Sequence, residues 1–471
     1  MLLTTLLIVI FVIGYAAIAT EHNLKINKTA TALLMCVLCW VIYMAGVETY
    51  FPAYRPDEFV HLVQGLAPDA VREALLKHAG GELILHHMGD VAEIVFFLMG
   101  AMTIVEVVDV NGGFNFVRDM LTTSSKRSLL WRLALLTFFL SAILDNLTTT
   151  IVMIMVMGKL VNNQKDRWMY TGIIVLSANS GGAFSPIGDV TTIMLWIRGM
   201  LSTEGVVGWL FLPSFVSMLV PAIIMHAQMK GKLDVAKNHV VVGQDGHAMP
   251  KVLASRYSKI IFIVGVGGLI FVPFFRALTG LPPFMGILLV FGLLWAIIEF
   301  GLKKKGHVQG CDDVRVNNIM RRIDLSTLLF FLGILMAVSA IQETGLLRHV
   351  GEWLDDSTGG NTYVITGAIG ALSAVVDNVP LVASCMAMYD IAPATDVANA
   401  IFAVDGQFWL LLAYCAGVGG SMLIIGSAAG VVAMGIEKIT FGWWIKHITL
   451  LAATGYLSGI ACYWVIEQLL H

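Results

Sequence analysis

Long apolar runs alternate with short polar ones along this chain, and many of the runs are long enough to cross a bilayer. A membrane-spanning helix needs about 20 mainly apolar residues. Ten candidates fall near 2–19, 30–47, 91–110, 169–200, 207–227, 258–275, 282–301, 325–342, 397–436 and 446–467. Those at 169–200 and 397–436 are too long and too rich in glycine for one plain helix, so each predicts a helix broken mid-way. Two further apolar stretches, 128–162 and 361–389, are interrupted centrally by Asp-Asn. Each of their halves has about 15 residues, too few to cross. Each stretch therefore predicts a re-entrant hairpin that turns at mid-membrane and leaves by the face it entered. Such backbone is tolerated only where protein or water covers it.

Composition sharpens this into a class. The 471 residues are 58% hydrophobic and 13% charged, with a mean hydropathy of +0.82, whereas soluble domains carry about 25% charged residues. The expected fold is an all-α polytopic membrane protein in contact with lipid. The net charge of −3 says little, because topology follows the placement of Lys and Arg rather than their sum. No basic patch or arm suited to nucleic acid is present. The first 19 residues lack a positive n-region and a cleavage site, which predicts a retained helix, and no transit peptide precedes it. A bacterial inner (cytoplasmic) membrane is the expected location. The six cysteines are scattered, and the Cys36/Cys39 pair lies inside an apolar run, which predicts packing rather than redox chemistry.

Charge placement then orients the segments. Lys126, Arg127 and Arg132 flank the first hairpin on one side and Lys159, Lys165 and Arg167 on the other, so both ends are expected in the cytoplasm. The second hairpin is flanked by Glu352, Asp355, Asp356, Asp390 and Asp396, so both its ends are expected outside. The basic loops 228–259 and 302–323 are expected in the cytoplasm. Ten spans with both termini outside satisfy all of these assignments.

Hairpins entering from opposite faces imply an inverted repeat. Ser141 to Asn146 reappears as Ser373 to Asn378, and 377 − 145 = 232. Asp90 with Phe96-Phe97-Leu98 matches Asp324 with Phe330-Phe331-Leu332 at an offset of 234. Gly181-Gly182 with Gly188 matches Gly419-Gly420 with Gly426 at an offset of 238. The expected division is a first repeat over 1–230, a cytoplasmic linker over 231–257 and a second repeat over 258–471. Five spans per half, an odd number, would turn the second half upside down.

The candidate chemistry sits at the breaks. Asp145, Asn146, Thr148 and Thr149 at the first tip, and Asp377 and Asn378 at the second, offer charged and neutral oxygens of the kind hard cations take. The broken run 177–192 adds Asn179, Ser180, Ser185, Asp189, Thr191 and Thr192. The matching run 416–430 offers only Ser421 and Ser427, with no carboxylate after Gly426. The scaffold is therefore expected to be symmetric while the charge is not. Three carboxylates at membrane depth favour protonation through burial and like charge, and a bound cation opposes it. Proton and cation would compete for the oxygens of Asp145, Asp189 and Asp377. Single features have plainer readings: one Asp in a span can be a structural partner, and a Gly-Gly pair can simply let helices approach. The matched breaks favour the functional reading. Glu93 joins as a supporting candidate for a proton path. The apolar positions of 54–90 suggest an amphipathic helix outside the membrane, and its histidines are read as a solvated loop rather than as a pH sensor or metal site.

At 141-SAILDNLTTT-150, 177-SANSGGAFSPIGDVTTIMLW-196 and 373-SAVVDNVP-380 the sequence resembles the NhaD-type sodium/proton antiporters of the ion transporter superfamily. The resemblance spans nearly the whole chain. It implies an inverted-repeat fold, a homodimer, and export of Na⁺ or Li⁺ in exchange for protons by an elevator-like movement, with a part in pH homeostasis. It implies no enzyme activity and no cofactor beyond the transported Na⁺ or Li⁺ and H⁺. The nearest rival is a sodium-coupled anion symporter of the same superfamily, which basic residues at the breaks would favour, and none occur there. An intramembrane aspartyl protease is a further rival through Tyr389-Asp390 and Ile187-Gly188-Asp189. It is disfavoured because Pro186 replaces a Gly, the order is reversed and Asp390 falls at a membrane surface.

Overall fold

The computed structural model describes residues 2–19, 26–113, 117, 120–233, 255–303, 315–393 and 395–470; among these the regular secondary structure is helical, and Ser125 and Lys232 form an isolated bridge. Most of the expected linker 231–257, and much of the basic loop 302–323, lies outside the described residues.

The first helices are α1 (Leu2–Ala19) and α2 (Lys28–Ala45), followed by the short α3 (Val47–Tyr54), α4 (Pro56–Val63) and α5 (Val71–His78). A π turn at Ala79–Leu83 leads into α6 (Ile84–Val110). The single amphipathic helix expected over 54–90 is thus replaced by short pieces, and the third span begins before 91. The cause is local. Arg55 precedes a proline and leaves helical geometry at φ −127, ψ 63, and Pro56 then opens α4. Gly65, at φ +78, follows its end.

The first hairpin is α7 (Lys126–Leu144) and α8 (Asn146–Leu160), with Asp145 alone between them. Its first arm has 19 residues, longer than expected, because Ser125 caps it and its polar first turns precede the apolar run. The first broken helix is α9 (Gln164–Ala183) and α10 (Val190–Ile197). Next come α11 (Thr203–Gln228), α12 (Ser255–Thr279), α13 (Pro283–Lys303), α14 (Val316–Met320), α15 (Leu325–Gln342) and α16 (Leu346–Thr358). The second hairpin is α17 (Thr362–Ser373) and α18 (Asn378–Met388). The second broken helix is α19 (Gln407–Gly419) and α20 (Ala428–Glu437), before α21 (Phe441–Trp444) and α22 (Leu450–Leu470). The expected run 397–436 is shortened at its start: Val397–Phe402 is a 3-10 turn, and Asp405 at φ +59 separates it from α19.

Eight helices among the described residues are long and apolar enough to cross a membrane. Taking α7 as a hairpin arm, and adding α1 and the two broken pairs, gives the ten spans expected. Their outward faces keep large apolar side chains exposed, such as Val12, Ile263, Phe274, Phe300 and Leu457. Water would penalise this and lipid does not.

The chain divides into two compact units. One comprises Met1–Phe96, Asp324–Ile365 and Val379–Ala403, and the other Phe97–Ile323, Thr366–Asn378 and Val404–His471. Each takes segments from both halves of the sequence. In the first unit α2 and α15 meet closely, with Gly333 against the backbone of Ala32 and the Trp40 indole donating to the Met336 carbonyl at 2.9 Å. Just past α15, the buried Glu343 carboxylate accepts from two Arg55 nitrogens at 2.7 and 2.8 Å and lies 2.8 Å from His87 Nε2. The second unit contains the first hairpin, both broken helices and the tip residues Asp377 and Asn378.

Candidate functional site

The first tip is built on strained backbone. Asp145 has φ +80 and ψ 158, a region that residues other than glycine avoid at a cost of about 1–3 kcal/mol. The turn lets α8 begin at once, and the Asp145 side chain caps it. One carboxylate oxygen accepts from the Thr148 amide and the other from the Thr148 hydroxyl, both at 2.8 Å. Asp189 likewise caps α10, but through one oxygen, Oδ1, which accepts from the Thr191 amide at 2.9 Å and from its hydroxyl at 2.8 Å. Each aspartate thus lies at a helix N-terminus, where the backbone dipole favours negative charge.

A buried polar chain joins the two broken helices to the hairpin tip. The Asn146 amide donates to Asp189 at 2.6 Å and to the Asn179 oxygen at 3.1 Å. The Asn179 amide donates in turn to Ser421 at 2.8 Å and to Ser427 at 3.0 Å. Asn179 is 0% exposed, Asp189 and Ser421 1%, Ser427 2% and Asn146 6%, so this is an internal cluster with little access to water. Asp189 lies within electrostatic range of both Asp145 and Asp377. The donors described for Asp145 and Asp189 are neutral, so hydrogen bonds alone do not cancel their charge. The buried hydroxyls of Thr149 and Thr192 have no hydrogen-bond partner, an arrangement that costs about 1–3 kcal/mol each.

The remaining expected residues divide. Asn378 is buried at the start of α18, next to the part-buried Asp377. Ser180 accepts from Ser217 at 2.8 Å, and Ser185 donates to the Ala142 carbonyl at 2.5 Å. These two brace helices rather than contribute to the chain around Asn179. Glu93 belongs to the first unit.

The repeat is visible in contacts as well as in letters. The Ser141 hydroxyl donates to the Ala178 carbonyl at 2.6 Å, and Ser373 to that of Ala416 at 2.9 Å. Gly181 packs on the Phe138 carbonyl and Gly419 on that of Gly370, places where a Cβ would collide. Asp189 corresponds to Ser427, since 427 − 189 = 238, and both cap the helix that follows. Ser141 and Ser373 served in the sequence only as markers of the repeat. Their pinning role follows from partners some forty residues away, which the one-dimensional pattern does not reveal. Ser217 gave no sequence signal at all.

Residues 8–405 match the family described as CitMHS, citrate transporter. The chain is 44% identical to sodium/proton antiporter 1 of Arabidopsis thaliana over 98% of its own length and 72% of that relative's. It is 39% identical to sodium/proton antiporter 2 of the same plant, over 98% and 99%. It is 30% identical to the Na(+)/H(+) antiporter NhaD of Vibrio cholerae, over 98% and 91%. The crystal structure of the Alcanivorax borkumensis YdaH transporter covers 94% of this chain with a TM-score of 0.55 and 13% identity, a likeness of fold alone.

Proposed function

Because the chain belongs to the citrate transporter family CitMHS and, within it, to the NhaD-type antiporters, we propose that it exports Na⁺ or Li⁺ in exchange for protons. The observation that carries this reading is the buried chain Asp189–Asn146–Asn179–Ser421/Ser427 beside the strained Asp145 turn. Asp145, Asp189 and Asp377 supply the charge that a cation or protons must neutralise. Asn146, Asn378, Thr148, Thr149, Thr191 and Thr192 supply neutral oxygens. Cation and proton then compete for the same carboxylates, and alternating access turns the competition into exchange. The transported ions are the only small partners required, and the protein acts as a carrier rather than an enzyme. A homodimer in the bacterial inner membrane completes the proposal. The Vibrio relative supports a bacterial setting, although the relatives of 44% and 39% identity come from a plant.

The family description also favours a second reading, uptake of a carboxylate anion. An anion would face Asp145 and Asp189 across neutral donors, and the like charge opposes it.

Everted vesicles from a host without its own antiporters test both. With the interior acidified, Na⁺ or Li⁺ should dequench a pH-sensitive dye for the wild type and not for Asp145→Asn or Asp377→Asn. A folded wild type that gives no response to any cation, yet accumulates citrate, would make the anion reading the correct one.

A further inference from the structure

Two ties at the far ends of the broken helices stand apart from the polar chain, and the internal repeat relates them. In the first, Arg167, near the start of α9, donates from Nε to Glu437 at 3.0 Å, and Glu437 is the last residue of α20. The Glu437 side chain is 5% exposed, and its carbonyl also accepts from the Trp168 indole at 3.0 Å. In the second, Asp405, just before α19, accepts from the Ser202 amide at 2.7 Å, and its own amide donates to the Met200 carbonyl at 3.0 Å. Those two residues lie just past α10, and Gly205 leaves room for the Asp405 carboxylate where any Cβ would collide. Arg167 and Asp405 occupy matching places, since 405 − 167 = 238, the offset that also relates the two Gly-Gly breaks. Each tie joins the start of one broken helix to the end of the other.

Backbone geometry marks the same places. Among the described residues, three other than glycine have positive φ: Asp145, Asp405 and Lys438. The first forms the hairpin tip, the second makes one tie, and the third directly follows Glu437 in the other. Such conformations persist only where their surroundings hold them.

We propose that Arg167, Glu437 and Asp405 are positioning residues whose two ties fix how the broken helices cross, and thereby the reach of Asn179 to Ser421 and Ser427. Asn179 is twelve residues along α9 from Arg167, about 18 Å at the helical rise, and Ser427 is ten residues before Glu437. The helices act as stiff levers between ties and breaks. The Asn179 bonds of 2.8 and 3.0 Å tolerate a slip of only a few tenths of an ångström before they weaken. Loosening a tie therefore weakens cation binding without removing a ligand.

This inference rests on the cation/proton reading, and its test separates the two. Na⁺ titrations of exchange compare the wild type with Glu437→Ala, Asp405→Ala and Asp405→Asn, and Na⁺-induced shifts in melting temperature are measured on the same purified proteins. Both alanine variants should raise the Na⁺ KM and the half-saturating Na⁺ of the thermal shift by about threefold to tenfold, with maximal rate per folded protein within about twofold. Asp405→Asn keeps an oxygen acceptor and should stay near the wild type. A lowered maximal rate with unchanged KM and unchanged thermal half-saturation would reduce the ties to plain structural contacts and overturn the proposal. Where an alanine variant does not fold, Arg167→Cys/Glu437→Cys, in a chain cleared of its native cysteines, takes its place. Exchange should survive bridging of that pair by a short bifunctional thiol reagent, and loss of exchange on bridging would show that the tie must open. A wild type that shows Na⁺-induced thermal shifts but no exchange strikes the antiporter reading alone, and the thermal titration still judges the ties.

Discussion

Asp145 holds a backbone conformation that glycine would adopt without strain, yet it carries a carboxylate there. Asp145→Gly should therefore separate stability from function. Replacing a capping side chain by glycine costs only about a few tenths of a kcal/mol, while relief of the positive φ returns about 1–3 kcal/mol. Thermal unfolding in detergent should show a midpoint no lower than that of the wild type, and vesicles should show no Na⁺-driven proton movement. Glu343 makes the opposite case. Burial would raise its carboxyl, but the bonds from His87 and Arg55 outweigh burial and hold it below its ordinary 4.5. Since the folded value is the lower one, the stabilisation is present above about pH 4.5 and is lost as pH falls through the folded value. Glu343→Gln should destabilise the protein at neutral pH by about 3 kcal/mol, the low end for a broken buried pair because Arg55 remains partly in water. Its melting temperature should also fall less steeply with acid than that of the wild type. Parallel pH profiles would contradict this assignment.

At the scale of elements, the two breaks depend on backbone approaching backbone. Gly181 and Gly419 lie against carbonyls of the hairpin arms, and a methyl group at either would displace the arm. Gly181→Ala and Gly419→Ala should each lower stability by about 1–3 kcal/mol, and by similar amounts, because the repeat gives them equivalent neighbours. Denaturation in detergent would measure both, and a tolerated Gly419→Ala beside a disruptive Gly181→Ala would deny the equivalence. The elements were largely legible in the sequence. The apolar runs marked the spans, and Asp-Asn and Gly-Gly marked the breaks. The pieces at 47–78 were less legible, because Pro56 and Gly65 interrupt a pattern whose apolar positions read as one helix.

At the scale of the whole molecule, the proposed topology puts the flanks of the two hairpins on opposite faces of the membrane. Cysteines introduced at Asp356 and Asp396 should react with an impermeant maleimide in intact cells. Cysteines at Asn163 and Lys232 should react only after permeabilisation. Labelling of Asn163→Cys from outside would place the first hairpin on the wrong face and end the inverted arrangement. The proposed competition of protons and Na⁺ for one set of carboxylate oxygens predicts a global response. The Na⁺ KM of exchange should rise by up to about tenfold per unit of acidification once the site binds protons. A KM independent of pH over two units would separate the two ions onto different groups.

The sequence by itself determined the class, the spans, the breaks and the duplicated motifs, because hydropathy and the positions of Asp, Asn, Gly and Pro are properties of the chain that lipid and backbone sterics translate directly. It also located Asp145, Asp189 and Asp377 at the breaks. Only the tertiary structure decided how they are partnered. That Asn146 bridges to Asp189, that Asn179 reaches Ser421 and Ser427 more than 240 residues away, and that Arg167 meets Glu437 and Ser202 meets Asp405 depend on how the helices cross. Crossing is set by close packing at glycines and by buried hydrogen bonds between distant segments, and no local pattern encodes the distance between two such segments.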